Sequence, residues 1–256
     1  RGTQSLEAFE LLLQGRALQA RRGRFLPQAM ACFEQAIALD PQYAEAMAWL
    51  SDSYRLMGTF GVAAFSEVMP KAKSLAERAL AIDPDLAEAW CTLASIEEQY
   101  ERDFPRAETL WRRTLAIDPR HARARAQRAL WGYLSSALSA DEAVRETTRA
   151  VQDDPLNAWV GAMHSHVLGF TGRHEESMVE AERSLGLDTE SFFPHWNLMR
   201  AFMMAGQYDR AIEMAPSVLG ASGRHPWALG ALAWAYGRVG RTEWARAIYD
   251  EMEARS

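Results

Sequence analysis

Cysteine is nearly missing: Cys32 and Cys91 are the only two in 256 residues, far apart and without a CxxC pair. That scarcity excludes a disulfide scaffold and points to a reducing, cytoplasmic compartment, with both thiols read as small buried side chains. Long apolar runs are missing too: none approaches the roughly 18 residues of a membrane span. Neither sign of charge dominates. Lys and Arg number 28 against 34 Asp and Glu, a net of −6. That balance argues against a chain that coats nucleic acid or an anionic membrane. The 16 glycines are scattered rather than gathered into a phosphate-binding loop. No GxGxxG, GxxxxGK[ST], HExxH or GxSxG pattern occurs. The expectation is a noncatalytic chain with no cofactor. The opening Arg1-Gly2-Thr3-Gln4-Ser5 has no initiator Met and no signal-peptide core, so a larger protein with an upstream domain is expected.

What is present is a repeat. Asp-Pro recurs at Asp40-Pro41, Asp83-Pro84, Asp118-Pro119 and Asp154-Pro155, followed by Asp188-Thr189 and His225-Pro226. The steps between first residues are 43, 35, 36, 34 and 37. The segments upstream align as small, any and small residues at i, i+4 and i+7, one face of a helix. Examples are Ala72, Ala76 and Ala79, and Ala107, Trp111 and Thr114. Proline then stops the helix, because it lacks an N–H and pushes the preceding residue out of helical geometry. A second helix follows each stop, as in Leu229, Leu232, Ala233 and Tyr236. Gly172, Gly206 and Gly240 mark the turns inside the pairs.

This pattern resembles tetratricopeptide (TPR) repeats, with Trp/Leu/small/Tyr on helix A and Ala/Phe/Ala/Pro on helix B. The resemblance implies an all-α fold, a right-handed α-solenoid of about seven helix–turn–helix repeats filling residues 1–256. The register gives repeats at 5–40, 41–83, 84–118, 119–154, 155–188, 189–225 and 226–256, hence fourteen helices. About nine extra residues in the second repeat are expected to form a loop at 58–69. The opening Ala8-Phe9-Glu10-Leu11-Leu12-Leu13-Gln14-Gly15-Arg16 is similar to that of the C-terminal TPR modules of bacterial class III nucleotide cyclases, winged-helix transcriptional regulators and some serine/threonine kinases.

His164 and His166 stand at i and i+2, on different faces of a helix, so they do not form a metal pair. His121, His174, His195 and His225 fall at helix starts or turns, where capping or solvent exposure is expected. Arg112, Arg113, Arg120, Arg123, Arg125 and Arg128 crowd into 17 residues. Local neutralisation is expected there, with Glu97, Glu98 or Glu101 pairing to Arg125 or Arg128.

In the resembled family helix A lines a concave groove. Carried over, its positions are polar in the N-terminal half, at Asp52, Arg55, Glu88, Cys91, Glu98 and Arg123 among others. They are aromatic and Met-rich in the C-terminal half, including Phe193, Trp196, Met204 and Trp227. The family's Lys/Asn clamp for chaperone tails is not reproduced, since its positions hold Ala48, Asp52, Cys91 and Ser95. The expected site for a protein or peptide ligand is Trp159, Met163, His166, Phe170, Trp196, Asn197, Arg200, Met203, Trp234 and Arg238. Direct nucleic-acid and membrane binding are not expected. A small-ligand sensor, or an accessory segment of an enzyme whose catalytic domain lies upstream, stay open as alternatives.

Overall fold

The computed structural model describes residues 2–22, 25–222 and 224–254. Among them there are fifteen α-helices, one π-helical stretch and no strand. No helix is long and apolar enough to cross a membrane. The chain divides into two compact units, residues 1–128 and 129–256.

The first unit holds α1 (Leu6–Arg21), α2 (Leu26–Leu39), α3 (Ala44–Thr59), α4 (Phe65–Ile82), α5 (Ala87–Ile96) and α6 (Phe104–Ile117). The π stretch Glu97–Glu101 extends α5, and the unit boundary falls within α7 (Ala122–Leu134). The second unit continues with α8 (Ala140–Asp153), α9 (Ala158–Phe170), α10 (His174–Leu187), α11 (Phe192–Met204), α12 (Tyr208–Glu213), α13 (Ala215–Ser222), α14 (Pro226–Arg238) and α15 (Thr242–Ala254).

The small-residue stripe explains how helices within each unit approach. Ala72, Ala76 and Ala79 on α4 are fully buried, as are Ala143, Thr147 and Ala150 on α8. Ala107 and Ala211, at the first small position of their helices, are buried as expected. Close approach is tightest at Gly15 on α1, where an added Cβ would lie 2.4 Å from the Phe33 ring of α2. Only glycine lets that ring pack against the helix backbone.

The helix stops rest on aspartate as much as on proline. Asp40, Asp83, Asp118 and Asp188 all have extended backbone at the C-caps of α2, α4, α6 and α10. Each also turns its carboxylate onto the N–H two residues on: Gln42, Asp85, Arg120 and Glu190, at 3.0–3.2 Å. That bond is an Asx turn. It holds at Asp188 although Thr189 follows in place of proline. His225 repeats it, accepting the Trp227 N–H on Nδ1 at 3.1 Å.

Three expectations need correction. There are fifteen α-helices rather than fourteen, because the second helix of the sixth pair is broken at Met214 between α12 and α13. Pro216 just beyond lacks the N–H needed to continue the α12 ladder. The extra residues of the second repeat are mostly helix, not a loop over 58–69. α3 runs to Thr59 and α4 starts at Phe65, because Phe60, Val68 and Met69 can be buried. Finally, the expected pairing of Glu97, Glu98 or Glu101 with Arg125 or Arg128 is not found among the described residues: Arg125 Nη2 donates to the Pro119 carbonyl, and Arg128 turns to another acid. Its Nη2 donates to Glu108 at 2.7 Å. Glu97 instead pairs with Lys73 and Arg106, and Glu101 with Lys73. The π stretch changes which face these acids present and buries Glu97 and Glu98.

Candidate functional site

The two units treat their helix-A faces in opposite ways. In the first, charges are matched by charges. Asp52 on α3 is buried and accepts from Gln19 Nε2 (2.8 Å), Arg55 Nε and Nη2 (2.9 and 2.7 Å) and Arg123 Nη1 (2.6 Å). Arg123 Nη2 also donates to Glu88, and Arg55 reaches Gln99. Burial alone would raise the Asp52 carboxyl, but Arg123, Arg55 and Arg22 outweigh it and hold it well below the usual carboxylate range. Burial likewise opposes ionisation of Glu88, yet Arg123 and His121 keep its carboxyl low.

Within this network a carboxylate oxygen of Glu88, the Cys91 thiol and a His121 nitrogen lie within 4.8 Å of one another. They are poor metal ligands as arranged. His121 Nδ1 accepts the Ala124 N–H at 3.1 Å, which leaves the proton on Nε2, facing Glu88 Oε1 at 3.4 Å. Arg123 occupies the other carboxylate oxygen. Burial pushes the Cys91 thiol up to about 12, far from the thiolate that binds metals. The Arg-rich segment is engaged in the same spirit: Arg112 and Arg128 share Glu108, and Arg113 takes Asp85.

The second unit presents rings. α9 and α11 are apolar nearly all round, which requires burial on more than one side. One side of α9 holds Val160, Val167 and Leu168 in the core. Another carries Trp159, Met163, His166 and Phe170 at i, i+4, i+7 and i+11. α11 contributes Phe193, Trp196, Asn197 and Arg200. Trp159 stacks on Phe193 (6.3 Å between centroids), Phe193 on His166 (5.9 Å), and His166 lies 5.2 Å from Trp196. Trp196 in turn meets Trp227 of α14 at 5.5 Å. The Arg200 guanidinium lies 4.7 Å from the Phe170 ring and 5.8 Å from Trp196.

Of the ten expected groove residues, Met163, His166, Asn197 and Met203 are buried, and Trp159, Trp196 and Arg200 are half-buried. Phe170, Trp234 and Arg238 are exposed. Rings join Trp159, His166, Phe170, Trp196 and Arg200 into one cluster, with Phe193 at its centre. Phe193 shares the helix-A stripe and was legible only as a groove position. Trp234 and Arg238 stand apart: both pack on Tyr208 of α12, at 5.4 and 5.1 Å. Tyr208 opens a helix B, so the helix-A pattern gave no signal for it.

This cluster is left polar inside. Trp196 Nε1 and Arg200 Nε and Nη2 are shielded from solvent and make no hydrogen bond, while the Asn197 amide and the His166 ring interact with each other without well-formed hydrogen-bond geometry. Burial, with Arg200 adding to it, holds His166 well below the ordinary histidine range, so it is neutral. Burial also pulls Arg200 down to about 9.

No protein-family model and no curated protein matches the chain. Solved structures do. Human IFIT1, solved as a dimer with m7Gppp-AAAA, is 19% identical with a TM-score of 0.73, over 95% of this chain and 57% of that one. PilW, described as a widely conserved type IV pilus biogenesis factor, is 19% identical with a TM-score of 0.61, over 82% and 92%. A tetratricopeptide repeat protein from Parabacteroides merdae is 14% identical with a TM-score of 0.60, over 98% and 93%. With the paired helices, the buried small-residue stripes and the repeated aspartate stops, these likenesses establish that the chain has the all-α solenoid fold of tetratricopeptide-repeat proteins.

Proposed function

We propose that this chain is a noncatalytic protein-interaction scaffold, a cytoplasmic regulatory segment of a larger bacterial protein. It holds a peptide or partner helix along the helix-A face of residues 129–256. The observation that carries the reading is the ring cluster of α9 and α11 with its unsatisfied polar atoms. Buried polar groups in a folded protein are hydrogen-bonded as a rule, so a cluster of orphans beside half-buried aromatics is a surface prepared for a ligand. Trp and Arg are also the side chains enriched at binding hot spots. The first unit supports the assignment by contrast, since the principal charges on its helix-A face already partner one another.

A displayed peptide library selected on the full chain tests this. Enriched peptides are expected to lose binding to Trp196→Phe and to Arg200→Ala, with both variants shown to be folded by circular dichroism. Peptides held equally well by the double variant refute the groove.

A further inference from the structure

Arg200 is a half-buried cation whose guanidinium is desolvated and has no counter-ion. No Asp or Glu forms an ion pair with it among the described residues. Its Nη1 meets only the weakly accepting sulfur of Met204, at 3.0 Å. Its Nε and Nη2, the side-on pair that grips a carboxylate with two parallel hydrogen bonds, are both unfilled. Arg55 and Arg123 differ, since both lie on carboxylates.

A desolvated charge with no partner is unfavourable for the free protein. The Phe170 and Trp196 rings offer the charge cation–π contact, which compensates a desolvated guanidinium less fully than a carboxylate does. The charge makes sense when the bound partner supplies the anion. The local charge count selects its class. Arg200 is the single cation of the cluster, and His166 is neutral beside it, so one negative charge is balanced and two are not. Trp196 Nε1 and Asn197 Nδ2 add neutral donors within the same cluster. The ring ladder runs on through Phe193 to Trp159 and through Trp196 to Trp227. That continuity suits a chain passing through rather than one ending there.

We infer that the groove ligand anchors through an internal Asp or Glu side chain, flanked by apolar residues, whose carboxylate takes the Nε and Nη2 hydrogens of Arg200. This rests on the groove reading above and names its ligand chemistry. Phe170, 39% exposed and packed over the guanidinium, is the ring that swings aside on entry.

Two arms test it on the full chain. In the first, hydrocinnamate, its neutral amide hydrocinnamide, and phenyl phosphate are titrated while the Arg200 Nε–H and Trp196 indole signals are followed by NMR. Hydrocinnamate is expected to bind about tenfold more tightly than either competitor, the scale of one charge-assisted hydrogen bond. Arg200→Gln should erase the difference and leave the melting temperature equal or higher. Equal binding of acid and amide, or a preference that survives in Arg200→Gln, overturns the inference. Tighter binding of phenyl phosphate overturns it in favour of a phosphoryl ligand. In the second arm, peptides selected on the parent should carry an acidic residue at one fixed position, and those selected on Arg200→Gln should not. Peptides that need Trp196 but show no acidic position refute the inference and leave the groove standing. Acid-selective binding at Arg200 with no peptide selected refutes the groove reading and the peptide ligand together.

Discussion

Arg123 Nη1 reaches Asp52 Oδ2 at 2.6 Å across 71 positions of sequence. It thereby ties α7 to α3 within the first unit, past the intervening α5. Asp52 carries the negative end of a cluster containing Arg22, Arg55 and Arg123. Asp52→Asn leaves these cations short of a partner, and breaking a buried pair in this way costs about 3–5 kcal/mol. Urea unfolding should show that loss at neutral pH. The folded Asp52 and Glu88 carboxyls both lie below their ordinary values. Their stabilisation is therefore complete above the unfolded carboxylate range, near pH 4, and is lost as pH falls through the folded values. Asp52→Asn should flatten that acid limb; an unchanged limb would show that the cluster contributes little.

Glu98 behaves in the opposite sense. It is buried beside the π stretch, accepts from Trp111 Nε1 at 3.3 Å through one oxygen, and has no partner for the other. Burial pushes its carboxyl up to about 9. The unfolded chain ionises it near pH 4, so Glu98 removes stability progressively as pH rises from there toward 9. Glu98→Gln should raise stability at pH 8 by roughly 1–3 kcal/mol and change it little at pH 4. Thermal melts at the two pH values decide it; a variant less stable at pH 8 contradicts the assignment of a neutral carboxyl.

Ala107 lies at the first small position of α6, buried beside Cys91 and Ala124. Ala107→Leu inserts volume where helices are already in contact and should cost about 1–3 kcal/mol. A denaturant midpoint equal to the parent's would contradict the packing.

Arg102 has a left-handed backbone, φ 60° and ψ 24°, at the end of the π stretch. Gly172, Gly206 and Gly240 hold positive φ at the corresponding turns. Arg102→Gly removes the Cβ penalty of that conformation and should stabilise by up to about 1 kcal/mol. A lower melting temperature would mean that the exposed Arg102 side chain matters more than its backbone.

The fold was largely legible because its signals are local. The stripe at Ala72, Ala76 and Ala79 and the Asp-Pro stops each act within one helix and its neighbour. What escaped depends on side-chain detail that periodicity does not encode. A π-helical widening at Glu97–Glu101 has no composition signature, and it redirected the expected Glu–Arg pairs. The break at Met214 turned on one proline read as part of a continuous helix. The aromatic stripe on α9 and α11 was readable from helix-A spacing. The separation of Trp234 and Arg238 from the His166 cluster was not, because it depends on Tyr208 of α12. Nor does the sequence show which arginines find carboxylates: Arg55 and Arg200 look alike in the pattern, and only one of them is paired.

The aspartate turn at the repeat boundaries has a consequence for how such an array diverges. The hydrogen bond onto the N–H two residues on comes from the side chain before the proline, not from the proline. A boundary can therefore lose its proline and keep its geometry, as Asp188-Thr189 does, or pass the role to a histidine, as His225 does. The two signals are separable in the other direction too, since Asp154 keeps Pro155 while its carboxylate accepts from Asn157 Nδ2 instead of a backbone N–H. Old repeats would remain intact in shape after the dipeptide that marks them has faded.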